Sequence, residues 1–184
     1  MKLFLAILAF LINNAHAAFI INTMSAYSTS SDSKTSSSTS STSNHFFIGA
    51  SIGAKQHMFV GQNITIATQE IKTATTNKLA MTELGPRLVY YFDDGNVFYS
   101  TLSWNPYAKG TRTINGVSED ISGFSYFIGV GAELKINHNF HIGGSLNYKS
   151  LSISKAISTS LVASTVSNTY ASIDPMINLS FRFR

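Results

Sequence analysis

The sequence contains no cysteine and few charged residues. The missing thiols exclude a disulfide scaffold, a cysteine-ligated metal site and a lipoprotein anchored through an N-terminal cysteine. Charged residues make up 12% of the 184 residues, about half of the roughly 25% found in soluble domains. The formal charge of +4 is spread along the chain without a Lys/Arg cluster, so we predict no nucleic-acid partner.

Long apolar runs are also missing. The longest, Leu3–Ile12, is shorter than the roughly 20 residues of a transmembrane helix. It follows the cation Lys2 and precedes Ala15-His16-Ala17, which is the order of a secretory signal peptide with small residues before the cleavage site. We therefore predict a cleaved signal peptide over residues 1–17, read at Ala15 and Ala17, and a mature domain over 18–184. A buried N-terminal helix is the alternative reading.

After Ala18 the dominant pattern has a period of two. It is clearest over residues 46–55, 83–92, 124–135 and 171–183, and it predicts strands with one apolar and one polar face. The polar face carries mostly Gly, Ser and Asn, whereas the outside of a soluble barrel carries many Lys and Glu. Small polar residues suit a narrow lumen and large apolar residues suit lipid, which indicates a transmembrane barrel.

Connections of two kinds separate these segments. Short turns rich in Asn, Asp and Gly are predicted at 60–63, 93–96 and 136–139, and longer polar loops at 31–44, 73–77, 109–120 and 155–168. Short turns in the periplasm and long loops outside are typical of outer-membrane barrels. We expect bulges at Pro86 and Pro175, because proline removes a ladder hydrogen bond.

Eight strands lie between these connections, and their even number puts both chain ends in the periplasm. The fold class is predicted to be all-β, an eight-stranded antiparallel up-and-down transmembrane β-barrel. A six-stranded barrel remains if the weakly patterned first and third strands fail. The predicted strands are 19–30, 45–59, 64–73, 78–92, 97–108, 121–135, 140–154 and 169–183.

Two groups of side chains follow from the alternation. Charged residues on the polar faces would pair inside a lumen that is only wide enough for side chains; a narrow ion path is the functional alternative. Aromatic residues near the strand ends would form girdles at the two membrane interfaces. The interior network is predicted to contain Glu83, Arg87, Glu133, Lys135, Lys149, Asp174 and Arg182, and the girdles Tyr90, Phe92, Phe98, Trp104, Tyr107 and Phe140.

Two segments resemble known sequences. Gly85-Pro86-Arg87-Leu88-Val89-Tyr90-Tyr91-Phe92 is similar to a strand of the small outer-membrane barrel families, of the OmpA and OmpX type, and the closing Leu179–Phe183 resembles their last strand. The resemblance implies that the final aromatic residues, Phe181 and Phe183, form the signal read by the barrel-assembly machinery. Arg184 departs from that pattern, because the aromatic residue is penultimate.

No enzymatic or metal site can be assembled from the sequence. His138 and His141 are spaced as H-x-x-H, but a metal site needs more ligands. His45 and His57 have no Ser or Asp nearby that suggests a catalytic triad. We therefore predict no cofactor, no metal and no enzymatic activity.

The predicted function is that of an integral protein of the Gram-negative outer membrane with a structural or surface-loop role in adhesion or interaction. A small channel for ions or apolar solutes and a lipid-modifying enzyme are the alternatives. The expected partners are outer-membrane lipid and lipopolysaccharide, the barrel-assembly machinery, and host or phage surface molecules. We expect a monomer.

Overall fold

The computed structural model describes residues 18–32, 37–53, 55–73, 75–158 and 163–183. The predicted signal peptide, with Ala15 and Ala17, lies outside the described residues, as does Arg184. Among the described residues there is no helix long and apolar enough to cross a membrane.

Eight antiparallel strands close into a barrel in the order β1 to β8, with each strand bonded to its neighbours in sequence and β8 bonded to β1. This confirms the predicted fold class. The strands are β1 (Phe19–Asp32), β2 (Ser37–Ile52), β3 (Met58–Lys72), β4 (Thr76–Tyr91), β5 (Phe98–Ile114), β6 (Val117–Lys135), β7 (Phe140–Ser158) and β8 (Ala163–Phe183).

The predicted turn at residues 60–63 is wrong. These residues lie inside β3, where Gly61 pairs with Gly49 of β2. A Cβ atom on Gly61 would lie 2.0 Å from the backbone oxygen of Ile48, so glycine is needed here for close approach of two strands and not for chain reversal. The actual reversal between β2 and β3 contains Gly53 and Gln56, both with positive φ.

The long polar loops are also shorter than predicted. Most of their residues continue the strands: β2 begins at Ser37, β5 runs to Ile114 and β7 runs to Ser158. Serine and threonine look like linker residues in sequence, but here they pair in register across β1 and β2 from Tyr27 opposite Thr42 to Asp32 opposite Ser37. In the described parts of the chain, these polar segments therefore extend the paired strands into longer hairpins.

Proline placement differs in part from the prediction. The register shifts between Leu84 and Arg87 of β4, around Pro86 as expected, but the extra residue lies on β5, where Pro106 and Tyr107 together face Phe124 of β6. Around Pro175 the pairing with β7 is continuous, so no bulge forms there.

The outward face carries the large apolar side chains. Ile128, Val130 and Leu134 of β6 and Ile173 and Ile177 of β8 are each more than half exposed. The alternating stretches of these two strands, 124–134 and 173–183, have about the 9–11 residues that a tilted strand needs to cross a bilayer.

Candidate functional site: the barrel lumen and its outer mouth

An ion pair closes the end of the lumen that lies near the chain termini. Arg182 donates to Oε2 of Glu133 at 2.6 Å, and both side chains are buried. The hydroxyl of Tyr91 donates to the same carboxylate oxygen at 3.1 Å, and Ser180 donates to Oε1 at 2.7 Å. The guanidinium also lies 4.3 Å from the Tyr91 ring centroid. Asn22 donates to Oε1 as well, at 3.3 Å, so four side chains satisfy the Glu133 carboxylate, which offsets much of the cost of burying it.

Arg87 occupies the centre of the lumen with a different set of contacts. Its guanidinium donates to Oγ1 of Thr101 at 2.8 Å and to Oδ1 of Asn22 at 3.1 Å. It lies 5.0 Å from the ring centroid of Phe47 and 5.3 Å from that of Phe127. Neutral acceptors and two ring faces therefore hold this cation.

A second ion pair lies nearer the outer end. Lys149 donates to Oε1 of Glu83 at 2.6 Å, and Ser125 donates to Oε2 at 2.5 Å. Asn105 donates in turn to Ser125 at 3.0 Å. Asp174 is also buried here and accepts from Ser172 at 2.8 Å.

Six of the seven charged residues assigned to the interior by their alternation are buried, and Lys135 is not. Lys135 is the last residue of β6, and it is followed by the exposed turn residues Ile136–Asn139. The alternation places it on the inward set, but the lumen ends before it, so its ammonium group reaches water. Its assignment to the interior network is corrected.

The interior also holds large apolar side chains that the sequence analysis did not place there. Phe47, Phe59, Phe127, Tyr91 and Tyr99 are almost completely buried. The alternation could have predicted that these side chains point inward, because each lies in its strand at a position of the polar, inward-facing set. Towards the outer end the inner wall includes an apolar cluster of Met81, Ala108, Ile121, Leu151, Ile153 and Ala156, against which Leu79 and Tyr170 pack.

A cavity lies at the outer mouth of the lumen, between this apolar cluster and the second ion pair. We call it the mouth cavity; it has a volume of about 140 Å³. Its wall combines apolar with charged and hydroxyl side chains, among them Leu79, Met81, Leu151, Tyr170, Lys149 and Asp174.

Ser43, which also lines the mouth cavity, contacts a buried histidine. The Ser43 hydroxyl lies 3.1 Å from Nε2 of His45, and the Thr65 hydroxyl lies 2.9 Å from Nδ1. From the sequence no serine was expected beside a histidine, whereas Ser43 and His45 stand two residues apart on one face of β2 and are in contact. His138 is exposed and His141 buried, and no group of three or more potential metal ligands occurs in the described parts of the chain.

The predicted girdle residues lie on the outer surface. Tyr90, Phe92, Phe98, Trp104 and Tyr107 are 40–60% exposed, and Phe140 is partly exposed and stacks on Phe181 with ring centroids 4.9 Å apart. Phe183, the other predicted assembly residue, is 45% exposed and pairs with Phe19 of β1.

The hairpin tips carry the exposed charges of the outer side. Glu70 is 3.2 Å from Lys72 and 3.6 Å from Lys78, and the contact with Lys72 lowers the pKa of its carboxyl group. Hydroxyl pairs cross the hairpins, such as Ser28 with Ser41 at 2.7 Å and Thr113 with Ser118 at 2.9 Å. These tips offer water a surface of hydroxyl and paired charged groups.

One solved structure with a TM-score above 0.5 shares this architecture. Neisserial surface protein A, NspA, has a similar structure, with a TM-score of 0.53 and 13% identity over 91% of this chain and 97% of that one. The translocator domain of the autotransporter NalP from Neisseria meningitidis aligns with a TM-score of 0.46 and 14% identity, over 97% of this chain and 66% of that one. The β domain of the Bordetella autotransporter BrkA aligns with a TM-score of 0.47 and 10% identity, over 92% and 99%.

No curated protein sequence matches the chain. The profile of the outer membrane protein beta-barrel domain, however, matches residues 3–178. The chain therefore belongs to the outer membrane protein beta-barrel domain family.

Proposed function

We propose that this protein is a non-enzymatic outer-membrane scaffold that presents four hairpin tips for contact with molecules outside the cell. The observation that carries the proposal is the filled lumen. Two ion pairs and the Arg87 cluster occupy it at successive levels, so side chains stand where a channel would need water. A filled lumen does not favour the passage of solutes, so we assign the function to the outer surface of the barrel.

Planar-bilayer recordings test the filled lumen. The purified, folded protein should give no ion conductance above that of protein-free bilayers. Replacement of Arg87 together with Phe127 by alanine clears only the central level, so with both ion pairs in place it should also give no conductance. Stable single-channel steps from the unmodified protein would establish the channel alternative instead.

A cell-adhesion assay tests the surface role. Bacteria that express the intact protein should adhere to epithelial monolayers or aggregate with one another more than bacteria whose β1–β2 hairpin has been shortened. Equal behaviour in both assays, with equal surface amounts of the two proteins, would contradict the proposal. We also expect a monomer, and light scattering of the folded protein checks that expectation.

The contact between Ser43 and His45 supports a second candidate, a lipid-modifying enzyme. A serine hydroxyl within reach of an imidazole is the arrangement of an activated nucleophile, and Ser43 lines a cavity open to the outer side. In this candidate Thr65 would orient the ring through Nδ1. Release of fatty acid from phospholipid vesicles by the intact protein, lost on Ser43→Ala and kept on Ser41→Ala, would replace the scaffold proposal with this one.

A further inference from the structure

The ring of strands is incomplete at one seam. On β1 the pairing with β8 covers only Phe19–Ser25, although β1 continues to Asp32 and β8 begins at Ala163. The other neighbouring strands pair almost to their outer tips, as β7 and β8 do from Phe140 to Ile157. Among the described residues this is the one seam that opens in its outer half.

Pro175 accounts for the position of this opening. Arg182 donates its backbone N–H to Asn139, which lies on the β7 side. Because successive residues of a strand point their N–H groups to opposite sides, odd-numbered residues of β8 point theirs towards β1. The last pair is Ser25 with Ile177, so the next bond towards β1 would come from Pro175, opposite Tyr27. Proline has no N–H to donate, and the ladder ends there.

The opening joins the lipid-facing surface to the mouth cavity. The opening is flanked by Tyr27 of β1 and by Ile173 and Ile177 of β8. The side chains of these three residues face outward and are 66–72% exposed. Inside the gap, Ala26 of β1 and Ser172 and Asp174 of β8 line the mouth cavity. The gap therefore has apolar side chains on its lipid-facing side, the small or polar Ala26, Ser172 and Asp174 between the two strands, and the apolar cluster within.

We propose that the seam between β1 and β8 is a lateral opening through which an acyl chain of an outer-leaflet lipid enters the mouth cavity. The occupant follows from the apolar groups on both sides of the gap, because the medium at Ile173 and Ile177 is the hydrocarbon of the bilayer and the cluster within is apolar as well. Leu79, Met81 and Leu151 contact the acyl chain in the cavity. Its methylene groups move from one apolar environment to another, so their transfer exposes no additional apolar surface to water. The buried pair of Lys149 with Glu83 lies beneath, so the chain stops in the cavity. This inference does not depend on the surface-contact role.

Fluorescence quenching by brominated lipid tests the proposal. Trp104 is the only tryptophan and faces outward, so Trp104→Phe removes the background. Leu151→Trp then places a reporter in the mouth cavity, and Phe59→Trp, in the same background, places a matched reporter in the closed lower lumen. The folded variants are studied in phosphatidylcholine vesicles whose acyl chains carry bromine at different depths, so that quenching through the barrel wall is sampled for both reporters.

We expect a larger loss of emission at position 151 than at position 59 for at least one bromine depth. Pro175→Val restores the missing donor and should reduce that loss, while Pro86→Val, on the far side of the barrel, should leave it unchanged. Quenching at 151 no greater than at 59, or quenching that Pro175→Val leaves as it was, would overturn the proposal. If Leu151→Trp does not fold, Tyr170→Trp serves as the reporter under the same criteria.

Discussion

At the residue scale, the lumen shows two ways of burying a cation. Arg182 and Lys149 each meet a carboxylate at 2.6 Å, whereas Arg87 is held by neutral acceptors and the rings of Phe47 and Phe127. Removal of one partner should therefore cost most at the ion pairs, because it leaves an uncompensated charge in a site closed to water.

Glu133→Gln tests this expectation. The substitution leaves Arg182 buried without its carboxylate, and we expect it to lower the free energy of unfolding by about 3–5 kcal/mol. Adding Arg182→Met to the same chain removes the stranded charge and should recover part of the loss. Urea unfolding in lipid vesicles, followed by the fluorescence of Trp104, measures both.

Lys135→Gln is the matched control for that experiment. Lys135 is exposed at the end of β6, and its replacement should change the free energy of unfolding by no more than about 0.5 kcal/mol. A double variant less stable than Glu133→Gln alone would show that the pair is not the unit of stability in this cluster.

The turn between β4 and β5 supplies a pH-dependent prediction. Backbone N–H groups of Val97 and Phe98 donate to the Asp93 carboxylate at 2.8–3.0 Å, and these bonds lower the pKa of Asp93. A depressed pKa in the folded state means that the carboxylate stabilises the fold at neutral pH, and that this contribution is lost as the pH falls through the folded-state pKa.

Asp93→Asn should therefore be less stable than the unmodified protein at pH 7, and the difference should shrink below about pH 4. Urea midpoints measured from pH 7 down to pH 3 check this. Asp94→Asn is the neighbouring control, because the Asp94 side chain is 93% exposed. A difference for Asp93→Asn that stays constant over the whole range would contradict the assignment.

At the element scale, the strands that alternate strictly could be predicted from sequence, and the turns only in part. Residues 93–96 and 136–139 lie in turns as predicted, because Asp93 and Asn137 accept backbone N–H groups across the reversal. The turn predicted at Gly61 was wrong because glycine occurs both in chain reversals and where two strands approach closely. Only the position of Ile48 on the neighbouring strand distinguishes the two cases. Composition likewise could not show that the serine-rich segments pair as strands.

The tip of the β5–β6 hairpin gives a prediction at this scale. Asn115 and Gly116 both have positive φ, at 50° and 81°, and they join the paired residues Ile114 and Val117. Gly116→Val places a β-branched residue in a left-handed conformation, at a cost of about 1–3 kcal/mol. We expect this to loosen the tip without unfolding the barrel.

Limited proteolysis of the protein in vesicles measures the loosening. Gly116→Val should be cut at the tip faster than the unmodified chain, while both keep the mobility shift on boiling that marks a folded barrel. Gly116→Asn is the control, because asparagine tolerates positive φ and should retain the protection. Equal cleavage of all three proteins would show that the tip conformation does not depend on glycine.

At the scale of the whole molecule, the barrel could be predicted because its two faces meet two different solvents. Alternation fixes strand number and polarity, since lipid selects the outward set along every strand. It could have placed Ser43 beside His45, because residues two apart on β2 share a face. It could not reveal that β1 leaves β8 after Ser25, because that depends on which residues of separate strands stand opposite one another, and this register is absent from any single segment.

The extension of the β1–β2 hairpin beyond Tyr27 and Thr42 yields a prediction for the intact protein. Tyr27 pairs with Thr42, and the pairs beyond them up to Asp32 and Ser37 are built almost wholly of serine and threonine. Replacing residues 28–41 by Asn-Gly joins this pair through a two-residue turn. Because the ion pairs of the lumen and the apolar outer face lie below the cut, we expect the shortened protein to insert, resist SDS until boiled, and lose the adhesion of the full chain.

Replacing residues 114–117 by Asn-Gly, which joins Thr113 to Ser118, trims another hairpin and controls for shortening alone. A shortened β1–β2 protein that fails to reach the outer membrane would show that the hairpin serves assembly, whereas full adhesion without it would contradict the proposed surface role.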